Sequence, residues 1–147
     1  MGVDVVTRII IDRPREAVAN FTADPSNAPR WYVNIKSVEW KTPPPVALGS
    51  KVAFIAHFLG RRMAYTYEVV QFEPSQRLVM ATAEGPFPME TTYTWQSLGQ
   101  EKTEMTLRNR GNPSGFSKIL SALMVPAMRR ANRKDLARLK LIMEDSG

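Results

Sequence analysis

The sequence predicts an α+β fold: a curved antiparallel seven-stranded sheet around one long C-terminal helix, with two short helices after the first strand. Three observations predict it. Turn signals break residues 50–110 at intervals of roughly 8–12 residues, and the segments between them alternate apolar and polar. From about residue 114 the apolar residues recur at helical spacing instead. A long amphipathic helix must bury its stripe against something, and one face of a curved sheet offers the surface.

Each element has its own reason. Val3 to Asp12 is rich in Val and Ile and reads as a strand. Asp12 or Arg13 is then placed near a helix N-cap, and Pro14 suits a first helical turn. Ala17, Val18 and Phe21 give that helix its apolar face. Asp24-Pro25-Ser26-Asn27 ends it and starts a second short helix before Trp31 and Tyr32. Strand character resumes from Val33 to Lys41, and Pro43-Pro44-Pro45 with Gly49-Ser50 forms a loop. Five strands follow, near 50–59, 62–72, 76–84, 88–98 and 102–110, with breaks such as Gly60-Arg61 and Gly85-Pro86. Ser114 is placed as the cap of a helix reaching about Glu144. Phe116, Leu120, Leu123, Ala127 and Ala131 form its stripe, flanked by Ile119, Met124 and Met128. Pro126 is expected to kink it, after which Leu136, Leu139 and Met143 take over.

Composition sets limits. A chain of 147 residues suits one domain, and it can bury roughly 70% of its unfolded surface without a covalent staple. It has no cysteine, which excludes disulfides, thiolate metal sites and a cysteine nucleophile. The single histidine, His57, excludes a site built from several histidines. No metal or cofactor is implied, and no nucleotide-binding glycine motif is present. No apolar run reaches the ~20 residues of a membrane span. The N-terminus reads as no signal peptide, so a cytoplasmic location is expected. The net charge is +6, and residues 114–147 contribute +4 of it. That excess reads either as a solvated helix face or as a surface for an anionic partner.

The order and spacing of several stretches resemble a known family. They are Ile11-Asp12-Arg13-Pro14, Thr22-Ala23-Asp24-Pro25 before Trp31, Leu48-Gly49-Ser50, Tyr65-Thr66-Tyr67-Glu68-Val69, Phe72-Glu73-Pro74 and Asp135-Leu136 with Leu139-Lys140. Together they resemble the START-like, or SRPBCC, superfamily, in its polyketide cyclase/dehydrase-like branch. The resemblance runs nearly the whole chain, so residues 1–147 are read as one START-like domain. It implies a helix-grip fold, like that of the birch-pollen allergen group, with a hydrophobic cavity between sheet and helix. It does not imply one activity, because carriers, receptors and cyclases share it. The iron-binding oxygenase branch needs two histidines and is excluded by the lone His57.

Strand alternation then selects the inward side chains. Met63, Tyr65, Tyr67 and Val69 share one face; so do Met89, Thr91, Tyr93 and Trp95; so do Met105, Leu107 and Asn109. The expected lining is Trp31, Tyr65, Tyr67, Met80, Tyr93, Trp95, Leu120, Met124 and Met128. Such a wall suits a flat apolar ligand with one or two polar groups, although the same residues also suit a filled core. In 51–58 the bulkier set, Val52, Phe54, Ala56 and Phe58, faces in and sends His57 outward; the other reading makes His57 a cavity acid/base. Tyr65, Tyr93 and His57 are the candidate catalytic residues, since a phenol donates a hydrogen bond to a carbonyl that gains charge. Arg61-Arg62 at a turn reads as a solvated pair or as a clamp for an anion, and Glu84 and Glu90 flank a loop over the expected mouth.

Three functions remain open. One is binding of a small hydrophobic or aromatic ligand of polyketide, lipid or isoprenoid type. The alternative is a polyketide cyclase/dehydrase-type enzyme. The third is an interaction protein that uses the basic C-terminal helix on a membrane or an acidic partner, and it ranks behind the other two. No nucleic-acid partner is expected, and either a monomer or a homodimer suits the pattern.

Overall fold

Strand β1 (Val3–Ile11) is followed by helix α1 (Arg15–Ala23), a 3-10 turn at Pro25–Asn27 and helix α2 (Ala28–Trp31). Strands β2 (Ile35–Trp40), β3 (Lys51–Phe58), β4 (Arg61–Glu73), β5 (Arg77–Glu84), β6 (Met89–Ser97) and β7 (Thr103–Gly111) come next, and helix α3 (Lys118–Asp145) closes the chain. This computed structural model describes residues 2–85, 87–112 and 118–145, with side chains in α3 from residue 122 onward. The expected Ser114 cap and Phe116 fall outside the described residues.

The seven strands form one antiparallel sheet in the order β1-β7-β6-β5-β4-β3-β2. Strands β2 to β7 run as a meander, and β1 joins at the far edge against β7. The α+β helix-grip prediction is therefore met. Pro14 is itself the N-cap of α1, one position after Arg13 and two after Asp12, because its extended ψ of 149° precedes the first helical residue. Asp24 caps the 3-10 turn by accepting the Ser26 N–H at 3.0 Å.

The β3–β4 hairpin turns on Leu59 (φ 52°) and Gly60 (φ 73°). Two successive positive φ values match the right-handed twist of the flanking strands, and Gly60 takes its value without a Cβ penalty. Strand β4 carries an irregularity between Val69 and Gln71. It moves the inward phase from odd residues (Met63, Val69) to an even one (Phe72) and leaves Val70 about half exposed.

Helix α3 runs through Pro126 without a break. Its buried line is Met124, Met128, Asn132, Asp135, Leu136, Leu139 and Met143. Leu123, expected on this stripe, is 53% exposed. Both lines have the same helical period, so periodicity alone does not say which one faces the sheet.

The core gathers at two places along α3. Leu136, Leu139 and Met143 pack with Ile11, Val18, Trp31 and Met105 near the C-terminal half. Met124 and Met128 pack with Val3, Val5, Phe87 and Met89 toward the N-terminal half.

Candidate functional site

A cavity of about 140 Å³ lies between these clusters, walled by the concave face of the sheet and by α3. The register explains which side chains enter it. Directly opposed residues of an antiparallel pair share one face. Phe54 opposes Tyr65, Val52 opposes Tyr67, and Ala56 opposes Met63. Phe54, Ala56, Phe58, Met63, Tyr65 and Tyr67 accordingly line one side. Tyr65 and Tyr67 pack at 5.8 Å between ring centroids, as do Phe54 and Tyr67. Gly85 leaves room for the Tyr65 ring, since an added Cβ would meet the ring at 2.6 Å. Phe87, beyond that glycine, closes edge-on against Tyr65 at 6.1 Å.

The polar groups collect around α3 and the segment after α2. The Tyr32 and Tyr93 hydroxyls share a hydrogen bond of 2.6 Å. Asp135 projects from α3, and its Oδ1 accepts the Val33 N–H at 2.8 Å. On the sheet, Thr91 Oγ1 donates to Asn109 Oδ1 at 2.8 Å. Asn132, one helical turn before Asp135, is 5% exposed. Its Nδ2 has no hydrogen-bond partner among the described residues. A buried amide donor without a partner is unfavourable, and a ligand oxygen would satisfy it.

Burial sets the protonation of the site. It raises the Asp135 carboxyl to about 7, against the opposing pull of the Val33 N–H and Arg138. It raises the Tyr67 phenol to about 12, tempered by the neighbouring Thr91. It raises Tyr32, Tyr65 and Tyr93 as well. The four phenols are neutral hydrogen-bond donors at neutral pH, while Asp135 exchanges its proton there.

Of the residues expected to line the cavity, Tyr65, Tyr67, Met80, Tyr93, Met124 and Met128 do surround it. Trp31 and Trp95 sit in the core rather than on its wall. Helix α1 covers that end of the sheet, and the Trp95 indole N–H donates to Thr22 Oγ1 at 3.0 Å. Leu120 falls among the side chains outside the described set. His57 is exposed, because Ala56 and Phe58 on either side of it face the cavity. Asp135, Asn132 and Tyr32 are not among the residues the sequence assigns to the site. For Asp135 a signal existed: it falls seven residues after Met128 and four before Leu139, inside the buried line.

No helix among the described residues is long and apolar enough to cross a membrane. No curated protein matches the sequence. Solved structures with the same fold include a protein from Thermus thermophilus, 18% identical, with TM-score 0.83 and coverage of 98% of this chain and 99% of that one. They include the Zhui aromatase/cyclase from a Streptomyces species, 16% identical, with TM-score 0.79 and coverage of 98% and 94%. A START superfamily protein from Mycobacterium smegmatis is 14% identical, with TM-score 0.73 and coverage of 97% and 95%. The family model described as "Polyketide cyclase / dehydrase and lipid transport" matches residues 2–144, and the chain belongs to that family.

Proposed function

We propose that the cavity binds a small, mainly apolar molecule of polyketide, lipid or isoprenoid type that carries a carbonyl or hydroxyl oxygen. The observation that carries this reading is the unpartnered Asn132 amide beside an aromatic and methionine wall. Size narrows the class. An engineered apolar cavity of about 150 Å³ accepts benzene. The 140 Å³ here suits one substituted ring or a short terpenoid. Calorimetric titration with single-ring phenols and aryl ketones should give saturable one-site binding with a negative heat-capacity change. Asn132→Ala should weaken it by about fivefold to tenfold, the worth of one hydrogen bond. Absence of binding across the panel, or binding that Asn132→Ala leaves untouched, would refute the assignment.

A second reading has its own support. Asp135 exchanges its proton near neutral pH and lines the same cavity as the Tyr32–Tyr93 pair. A neutral phenol steadies a developing enolate oxygen while a carboxylate removes or returns a proton, which is what cyclisation and dehydration need. In that case Asp135→Asn keeps ligand affinity and abolishes turnover of a β-diketone substrate.

A further inference from the structure

We propose that the outer face of α3 docks the protein on an anionic lipid bilayer. Opposite the buried line of α3 run Leu123, Ala127, Arg130, Lys134, Ala137 and Leu141, spaced by four and three in alternation, all exposed except the partly buried Ala127. That spacing keeps them on one line along the helix. Leu123 is 53% exposed and Leu141 is 72% exposed. They are 18 residues apart, about 27 Å at 1.5 Å per residue. Arg130, Arg133, Lys134 and Arg138 lie between them and are exposed. Among the described residues, Arg130, Arg133 and Lys134 are in no ion pair.

The acidic residues of α3 do not neutralise this face. Asp135 is buried, and Glu144 Oε2 is held by Lys140 Nζ at 2.6 Å and the Asp12 N–H at 2.9 Å. Asp145 stands at the end of the helix, beyond the cations.

The choice of partner follows from the leucines. A cationic stripe alone fits any polyanion. A cationic stripe bracketed by two exposed leucines fits a bilayer, whose phosphates meet the guanidinium and ammonium groups while its acyl boundary takes the aliphatic ends. The docked helix would lie flat, and its opposite face, with Met124, Met128, Asn132 and Asp135, lines the cavity. The cavity would then stand about one helix diameter, roughly 10–12 Å, from the lipid surface.

Vesicle flotation with the full-length chain tests this. Phosphatidylcholine vesicles containing about 30% phosphatidylserine should carry the protein at low salt and lose it as salt rises toward ~0.5 M. Vesicles of phosphatidylcholine alone should not. The double variant Arg130→Glu, Lys134→Glu should bind at least about thirtyfold more weakly, since each basic residue near an anionic surface is worth roughly a factor of five. Leu123→Ser with Leu141→Ser should weaken binding severalfold. All four positions are exposed, so circular dichroism should show each variant folded. Equal binding to both vesicle types would overturn the proposal. So would indifference to charge reversal. Retention of duplex DNA that competes with the vesicles, with no effect of the leucine substitutions, would assign the face to a polyanion instead.

Discussion

Asp135 is the residue whose ionisation should govern the pH behaviour of the fold. Its carboxyl is raised by burial to about 7 in the folded chain, from an ordinary 3.8. Between these values the folded state holds a proton that the unfolded state has released. The contribution of this group to stability is therefore greatest below pH ~4, falls as pH rises toward ~7, and is level above it. Asp135→Asn removes this dependence while keeping an oxygen for the Val33 N–H. The variant should equal the parent near pH 4 and exceed it at pH 8 by roughly 1–4 kcal/mol, read from urea midpoints at the two pH values. A variant less stable than its parent at pH 8 would show that the carboxylate form is held by contacts stronger than its desolvation. The cavity aromatics were legible from strand alternation, because a tyrosine every second residue in β4 can face only one way. Asp135 was not, because a charged residue on a basic helix reads as surface until the helix's rotation is known.

At the scale of the element, α3 shows the limit of periodicity. Its sequence holds two lines with the same repeat, one through Leu123 and Ala127 and one through Met124 and Met128. Counting apolar residues near Pro126 favours neither. The second line faces in because only it continues through Leu136, Leu139 and Met143, which fill the core against β1 and α1. Strand boundaries were easier, since each break contains a residue that turns need, such as Gly60. The irregularity of β4 between Val69 and Gln71 left no such mark, because Val70 is as strand-compatible as its neighbours. Pro126 lies on the exposed side of α3, where it removes a backbone N–H from the helical ladder. Pro126→Ala restores that donor and should raise stability by about 1–3 kcal/mol, seen as a higher urea midpoint with an unchanged slope. A lower midpoint would mean that the proline sets the path by which Met124 and Met128 reach the sheet.

For the whole molecule, the placement of the two core clusters bears on whether the space between them is a site or a packing defect. Each half of α3 is anchored in its own buried cluster, one end by Leu136, Leu139 and Met143 and the other by Met124 and Met128. The middle is left with Asn132 and Asp135 facing an aromatic wall. Polar side chains at that place cost stability, and apolar residues there would close the core. Filling the space separates the two meanings. Ala56 sits on β3 among the lining residues, opposite Met63. Ala56→Leu adds three carbons to the cavity and should leave stability unchanged or raise it by up to about 2 kcal/mol. If the space is a ligand site, single-ring ligands should lose at least about tenfold in affinity, because the added side chain occupies the volume a ring would take. Denaturation and titration on the same preparation decide it. A large loss of stability would show that the cavity walls are too rigid to accept filling. Unchanged affinity would place the ligand elsewhere, and with it the role assigned to Asn132.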